Sequence, residues 1–183
     1  MPNFYIIIAE TDLHECIKRG NILLEIHKPY ITYQILKAIK YIHSANVIHR
    51  DLKPSNILLD TDCRVKICDF GLTRSLSGVL MTNRAATHEN RSETDPELTE
   101  YVATRWYRAP EILLASNRYT KFVDMWSIGC IVAEMLIGKP IFPGTSTLNQ
   151  IELIVSVVPK PTEEDIFNLR SNYSKLVLDD AMK

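Results

Sequence analysis

Residues 49–56 read HRDLKPSN, and residues 69–71 read DFG. In the first stretch a carboxylate (Asp51), a cation (Lys53) and an amide (Asn56) fall within six positions. No rule of packing or secondary structure requires that combination. The glycine that ends the second stretch permits backbone conformations that other residues rarely adopt. The two stretches are therefore the first candidates for a functional site.

Short, mainly apolar runs surround these two stretches. Residues 57–59 and 65–67 lie on either side of a polar turn, which predicts a hairpin that folds the two stretches together. Before them, apolar side chains at helical spacing predict a helix over about residues 25–45. Residues 5–8 fit a strand, and residues 12–18 fit one or two helical turns.

The second half of the chain is predicted to be mainly helical. Residues 122–138 are apolar nearly all round, as in a helix buried at the centre of a domain, and Asp124 lies in the first turn. Residues 148–158 predict another helix, which ends before Pro159. Between the two halves, residues 75–98 are polar and lack periodicity, which indicates a long loop.

The polar groups suit phosphoryl transfer, in which catalysis consists mostly of positioning and of neutralising charge on phosphates. Asn56 and Asp69 offer oxygen ligands, which suit Mg²⁺ together with phosphate oxygens and water. Asp51 could accept the proton of an attacking hydroxyl group. Zinc is disfavoured because none of the four cysteines lies in a C-x-x-C pair or near a histidine cluster.

These motifs resemble those of protein kinases. The two stretches and the APE triplet at residues 109–111 are similar, in the same order, to the catalytic loop and activation segment of that family. The resemblance implies ATP and Mg²⁺ as cofactors. It also implies an α+β, protein-kinase-like fold with a mainly α-helical C-terminal lobe and an N-terminal β lobe that is largely missing. Asp51 would be the catalytic base, and Lys53 would contact ATP at the transferred phosphate. Asn56 and Asp69 would hold the magnesium ion.

The resemblance extends to MAP kinases of the extracellular-signal-regulated type. Residues 99–101 read TEY and residues 102–108 read VATRWYR, which is similar to the doubly phosphorylated lip of those enzymes. Phosphates on Thr99 and Tyr101 would pair with nearby cations and order the lip, so we predict an activity switch here. The cations that would pair with the phosphates are Arg50, Arg74, Arg105 and Arg108.

The same resemblance implies a class of substrate and a subfamily. In this family the ordered lip forms a pocket for proline, so phosphorylation of Ser/Thr-Pro sites on protein substrates is implied. The insert before Thr99, residues 123–127 (VDMWS) and residues 142–147 (FPGTST) are most similar to the atypical, self-phosphorylating MAP kinase fifteen branch. Activation by an upstream kinase and self-phosphorylation both remain open.

The resemblance covers essentially the whole chain as one partial kinase domain, residues 1–183. It places the end of the hinge between the kinase lobes at residues 1–12 and an incomplete C-terminal lobe at residues 13–183. The activation segment would comprise residues 69–111.

Four further residues receive roles only through the resemblance. Asp12 matches the residue that contacts the ribose of ATP, and Leu58 and Cys68 match positions beside the adenine. Asp124 matches the acid that holds the backbone of the catalytic loop. Two simpler interpretations stay open, since Asp12 also suits the start of a helix and Cys68 also suits a small apolar role in the core.

The chain lacks two elements of the family pattern, the G-x-G-x-x-G loop and the V-A-I-K lysine. We therefore expect the chain as written to be truncated and to be weakly active or inactive. Each lost electrostatic contact to a transition state costs about 10²–10³ in rate. The chain should also expose apolar faces. The alternative function is a non-catalytic, kinase-derived binding module that acts through its helices around Leu148.

The composition argues against several other classes of protein. Lys and Arg (21) nearly balance Asp and Glu (22), so the sequence indicates no nucleic-acid partner. The first ten residues have no basic flank and only a short apolar run, so they predict neither a signal peptide nor a membrane span. We expect reduced cysteines, no membrane partner, and a location in the cytoplasm or the nucleus.

Overall fold

The computed structural model describes residues 10–75, 105–116, 120–169 and 171–181. Within these ranges the chain is mainly helical and has five short strands in two small sheets. The strands are β1 (Thr11–Asp12), β2 (Val47–Ile48), β3 (Ile57–Leu59), β4 (Val65–Ile67) and β5 (Arg74–Ser75). The strand expected at residues 5–8 lies outside the described residues.

The first sheet has the order β1-β3-β4, and both of its strand pairs are antiparallel. Asp12 lies opposite Leu58, and Leu58 lies opposite Lys66. The polar turn between β3 and β4 is closed by Asp60, whose Oδ1 accepts hydrogen bonds from backbone N–H groups two and four residues later. The predicted hairpin is thus confirmed.

The second sheet pairs β2 with β5, and Val47 lies opposite Ser75. The expectation that the loop starts at Ser75 was therefore wrong, because backbone pairing with β2 gives this polar residue a place in a strand. The rest of that expected loop, residues 76–98, lies outside the described residues.

The helices, in chain order, are α1 (Leu13–Arg19), α2 (His27–Ser44), α3 (Pro110–Leu113), α4 (Phe122–Ile137), α5 (Thr147–Val155), α6 (Glu163–Asn168) and α7 (Asn172–Ala181). The helices expected at residues 12–18 and 25–45 are confirmed as α1 and α2. The stripe on α2 is buried through Ile31, Ile35 and Ile39. A single 3₁₀ turn, Pro54–Asn56, lies among the described residues between the helical and hairpin parts of the site.

Helix α4 ends at Gly138, whose φ of 76° stops the helix in the left-handed region. The centre of α4 is buried, and Ile131 is inaccessible. The expectation of burial all round was wrong at the two ends, where Phe122 is 76% exposed and Leu136 is 59% exposed. The reason is that α2 packs against one side of the helix and leaves other positions open to solvent.

Helix α5 starts one residue before the expected position, because the Ser146 side chain accepts a hydrogen bond from the backbone N–H of Asn149. It also ends three residues earlier than expected, and residues 156–158 form a turn. Among the described residues no helix is long and apolar enough to span a bilayer.

Candidate active site

The start of α4 holds the HRD loop in place. Asp124 is fully buried, and its two oxygens accept hydrogen bonds from the backbone N–H groups of His49 (2.9 Å) and Arg50 (2.8 Å). Arg50 has a φ of 71°, a left-handed conformation that costs a residue with a side chain about 1–2 kcal/mol. The loop keeps this strained shape because a buried carboxylate satisfies its backbone donors.

A second partner of this carboxylate was missed from the sequence. His43 Nε2 lies 2.8 Å from Asp124 Oδ2. The sequence did not indicate this pair, because the pairing depends on α2 and α4 meeting in the fold. A histidine at the last turn of a helix, just before the HRD stretch, was the available signal.

Asp51 lies at the centre of the site and is 7% exposed. Its Oδ2 is 3.2 Å from Lys53 Nζ and accepts a hydrogen bond of 3.2 Å from Asn56 Nδ2. Its Oδ1 is buried and has no hydrogen-bond partner in the described part of the chain. One oxygen of Asp51 is thus fixed by two neighbours, while the other keeps its capacity to accept a proton.

His49 connects this loop to the DFG stretch. Its Nδ1 accepts a hydrogen bond from the backbone N–H of Asp51, so its Nε2 carries the proton and donates to the carbonyl oxygen of Cys68 at 3.0 Å. Its ring also packs against Phe70, with centroids 4.9 Å apart. The backbone N–H of Cys68 donates to the carbonyl oxygen of Asn56. The hairpin therefore brings the two stretches side by side, as predicted.

The residues predicted to hold a metal ion are Asn56, through its amide oxygen, and Asp69, through its carboxylate. Asn56 Nδ2 donates to both the carbonyl oxygen (2.8 Å) and Oδ2 of Asp51, which turns the amide oxygen away from that residue. Asp69 has a φ of 63°, is exposed, and accepts a hydrogen bond from the backbone N–H of Gly71. In the described ranges no three His, Cys, Asp or Glu residues cluster as a metal site. An amide and a carboxylate fit Mg²⁺, which usually takes few protein ligands and keeps phosphate and water ligands.

The residues assigned to the nucleotide base and sugar also lie near one another. Asp12 and Leu58 are register partners, and Cys68 follows β4, the strand next to β3. Burial raises the pKa of the Cys68 thiol, and the negative charges of Asp69 and Asp12 raise it further, while Lys53 lowers it. Asp12 also caps α1 by accepting a hydrogen bond from the backbone N–H of the third helical residue. This confirms the simpler interpretation of Asp12 as the residue that starts a helix. Its contact with ribose stays a prediction.

The four arginines expected to pair with phosphates lie in two places. Arg74 is the register partner of Ile48 in the second sheet. Ile48 lies two residues before Arg50 in the chain, so Arg50 and Arg74 lie on neighbouring segments. Arg105 and Arg108 close one turn through a backbone hydrogen bond of 3.1 Å. Thr99 and Tyr101 lie outside the described residues, so their pairing with the arginines stays a prediction.

The turn at residues 105–108 is attached to α4 by contacts that the sequence did not suggest. The Tyr107 hydroxyl group donates a hydrogen bond of 2.6 Å to Glu134, and Ser127 Oγ donates one of 2.7 Å to the carbonyl oxygen of Tyr107. Burial raises the pKa of the Glu134 carboxyl, although the bond from Tyr107 opposes that change. An acid within an apolar helix was the signal that could have found Glu134. Trp106 makes a further attachment, because its indole N–H donates to the carbonyl oxygen of Gly144.

Comparison with known proteins gives the class to which this fold and site belong. The protein kinase domain family matches residues 3–179, which is nearly the whole chain. The chain therefore belongs to the protein kinase family, and its predicted α+β, kinase-like fold is confirmed.

Individual relatives confirm the resemblance to MAP kinases. The chain is 64% identical over 169 residues to mitogen-activated protein kinase 15 of Xenopus laevis, an alignment that covers 92% of this chain and 27% of the relative. It is 58% identical over 170 residues to mitogen-activated protein kinase 15 of Caenorhabditis elegans, covering 93% of this chain and 35% of that relative. The identity to extracellular signal-regulated kinase 2 of Dictyostelium discoideum is 56% over 170 residues, covering 93% of this chain and 43% of the relative. The chain thus spans less than half the length of each of these relatives.

Proposed function

We propose that this chain forms the catalytic floor of a proline-directed protein serine/threonine kinase of the MAP kinase type. The reaction is the transfer of the γ-phosphate of ATP to a serine or threonine hydroxyl group that precedes proline in a protein substrate. The chain is a part of that enzyme, and by itself it is weakly active or inactive. Its place of action is the cytoplasm or the nucleus.

The proposal rests on a difference between the two oxygens of Asp51 in their hydrogen-bond partners. Oδ2 is held by Lys53 and Asn56, whereas Oδ1 is buried with no partner in the described residues. A buried acceptor without a partner costs about 1–3 kcal/mol, and an incoming hydroxyl group would remove that cost. This arrangement is expected of a general base, because Oδ1 is available to accept the proton of a substrate hydroxyl group.

The neighbouring residues can share the rest of the chemistry. Asp51 Oδ1 accepts the hydroxyl proton as the oxygen attacks the γ-phosphorus, and the bond from that phosphorus to the bridging oxygen breaks so that ADP leaves. Lys53 Nζ, 3.2 Å from the other oxygen of Asp51, donates to the transferred phosphate. Asn56 and Asp69 would hold Mg²⁺ through their side-chain oxygen atoms. When bound, the ion neutralises negative charge on the phosphates. Asp12, Leu58 and Cys68 line the ribose and adenine end.

Phosphorylation of Thr99 and Tyr101 is the proposed switch. The two phosphates would form charge-assisted hydrogen bonds with the arginines at positions 50, 74, 105 and 108. An upstream kinase or the enzyme itself would supply the phosphates. Proteins with Ser/Thr-Pro sites are the proposed partners, and neither a nucleic acid nor a membrane is among them.

A second candidate is a non-catalytic binding module of the same fold. It is favoured by an apolar groove beside α5, of about 180 Å³, to which Ile151, Ile154 and Val155 contribute. Leu148 on the same helix is 39% exposed and would extend that surface. In this case the kinase residues would be retained for folding alone.

A transfer assay distinguishes the two candidates. Residues 1–183, alone and preceded by the amino-terminal residues of the Xenopus relative, are incubated with MgATP and a Ser-Pro peptide. We expect transfer by the longer protein, weak or no transfer by the chain alone, and loss of transfer when Asp69→Ala is introduced. Absence of transfer from both proteins would favour the binding module.

A further inference from the structure

The Gln34 side chain connects the middle of α2 to the β3–β4 hairpin. Its Nε2 donates a hydrogen bond of 2.8 Å to the carbonyl oxygen of Cys63, and its Oε1 accepts one of 3.1 Å from the backbone N–H of Val65. A carbonyl oxygen can only accept and a backbone N–H can only donate, so these two partners determine the orientation of the amide. Gln34 therefore binds the hairpin through both ends of its amide group.

The hairpin gains a partner at its open side through these bonds. Among the described residues β4 has β3 on one side and no strand on the other. Asp60 accepts the N–H groups inside the turn, whereas the carbonyl of Cys63 and the N–H of Val65 bond to Gln34. Unpaired backbone groups at the edge of a sheet need a partner from elsewhere. Gln34 takes the place that a neighbouring strand would have.

The other end of β4 leads directly into the DFG stretch, because Cys68 and Asp69 follow the strand. The backbone N–H of Cys68 donates to the carbonyl oxygen of Asn56 at 3.0 Å, and its own carbonyl oxygen accepts the bond from His49. The strand contains only three residues. A shift at the end that Gln34 holds would therefore also displace Asp69 at the other end.

Helix α2 supports the HRD loop as well as the hairpin. His43 lies nine positions after Gln34 on the same helix and pairs with Asp124, which accepts hydrogen bonds from the backbone of the HRD loop. Nine residues correspond to about 14 Å along an α-helix. The helix thus links the supports of the HRD and DFG stretches at a fixed separation.

We propose that Gln34 is a positioning residue that fixes Asp69 relative to Asn56, so that these two side chains can hold one divalent cation. It acts through β4 and is not itself a ligand. The inference rests on the proposed kinase function and adds to it a residue of α2, outside the HRD and DFG stretches. The cation would be bound by an amide oxygen and a carboxylate together with phosphate oxygens and water.

Hydrogen exchange on the chain of residues 1–183 tests the link between Gln34 and the DFG stretch. Gln34→Met keeps the length of the side chain and removes both hydrogen-bonding groups. We expect the backbone amide of Cys68 to exchange about tenfold faster in this variant, because two bonds that oppose local opening of β4 are lost. The matched control is Ser146→Ala, which removes the cap of α5 and leaves the hairpin contacts intact. Its Cys68 amide should exchange as in the wild type.

Metal-dependent nucleotide binding gives a readout that a purely structural role would not change. The longer protein described for the transfer assay is titrated with ADP by calorimetry, once with Mn²⁺ and once with a chelator. Mn²⁺ suits the same oxygen ligands as Mg²⁺. Gln34→Met should weaken ADP binding with Mn²⁺ by about tenfold, the size of effect that contacts supporting a metal ligand have. Binding of ADP without metal should stay unchanged, and Asp69→Ala should show the same pattern.

Gln34→Glu is the second variant and replaces Gln34→Met if that protein does not fold. Its carboxylate still accepts from Val65 but cannot donate to Cys63, so both readouts should change in the same direction. Equal exchange of the Cys68 amide in the Gln34 variants and in Ser146→Ala, or unchanged ADP binding with Mn²⁺ in a folded Gln34 variant, would overturn the proposal. Failure of the wild-type protein to bind ADP would instead contradict the kinase function. The exchange rates, which need no nucleotide, would then decide the role of Gln34.

Discussion

Asp124 Oδ1 lies 2.8 Å from the backbone nitrogen of Arg50, which precedes it by 74 positions in the sequence. The same carboxylate accepts hydrogen bonds from the backbone N–H of His49 and lies 2.8 Å from His43 Nε2. A buried carboxylate is tolerated only when its oxygens are satisfied, and here each oxygen has a partner. The first turn of α4 and the HRD loop therefore form one structural unit.

The first prediction concerns Asp124→Asn. The amide keeps the shape of the side chain but has one acceptor oxygen, so at least one buried backbone N–H loses its partner. We expect the free energy of unfolding in urea to fall by about 1–3 kcal/mol. The matched control is Asp62→Asn, which removes an exposed pair with Arg64 and should change stability by at most about 1 kcal/mol. Equal effects of the two substitutions would contradict this account.

The second prediction concerns the pH dependence of stability through Glu134. Burial raises the pKa of this carboxyl in the folded chain above the ordinary 4.5. Its stabilising contribution is therefore complete below pH 4.5 and is lost as the pH rises through the raised pKa. Glu134→Gln does not titrate, and its amide oxygen can still accept the bond from Tyr107. We expect the wild-type chain to lose stability relative to Glu134→Gln from acid to neutral pH, measured by urea unfolding. A difference that is constant with pH would show that the carboxyl does not titrate as described.

The third prediction compares the same substitution at Gly129, within α4, and at Gly138, the residue directly after α4. Gly138 has a φ of 76° and an added Cβ would meet nothing, so Gly138→Ala should lower stability by about 1–2 kcal/mol through backbone strain alone. Gly129 also has open space but lies within the helix, so Gly129→Ala should raise stability by up to about 1 kcal/mol. Thermal unfolding of both variants tests these opposite signs. Changes in the same direction would refute the assigned backbone conformations.

The fourth prediction concerns the thiol of Cys68, which we place beside the adenine of ATP. MgATP should slow the alkylation of Cys68 by iodoacetamide, because a bound nucleotide would cover the thiol. Cys63, which is also partly exposed and lies in the turn of the hairpin, serves as an internal control and should react at an unchanged rate. Mass spectrometry of the alkylated peptides measures both rates. Equal rates at Cys68 with and without MgATP would remove that residue from the proposed nucleotide site.

Much of the fold could be predicted because long periodic stretches identify helices directly. The apolar stripe with Ile31, Ile35 and Ile39 predicted α2, and the two runs around Asp60 predicted the β3–β4 hairpin. Short elements were not predicted, because α3 and α6 contain four and six residues and show no full period. Burial of the ends of α4 was predicted wrongly, because composition alone does not tell which elements cover a helix.

The candidate site was predictable where its residues are close in sequence. Asp51, Lys53 and Asn56 are local neighbours, and the hairpin brings the DFG stretch beside them, because the backbone N–H of Cys68 donates to the carbonyl oxygen of Asn56. The attachments to α4 could not be predicted, because His43–Asp124 and Tyr107–Glu134 connect segments that only the packing of helices brings together. The local sequence did not indicate that position 144 needs glycine either, because only the fold shows that an added Cβ there would clash with the backbone of α5.

The role of Asp51 as the base is tested by measuring phosphate transfer to a Ser-Pro peptide by Asp51→Asn, with MgATP affinity measured on the same preparation. The longer protein described for the transfer assay serves as the host. Asparagine preserves the shape of the side chain and part of the contacts of Oδ2. Its amide group cannot act as a base that accepts a proton. We expect transfer to fall by about 10²–10⁴ while the affinity for MgATP stays nearly unchanged. Transfer at the wild-type rate, or an equal loss of nucleotide binding, would contradict the role of Asp51 as the base.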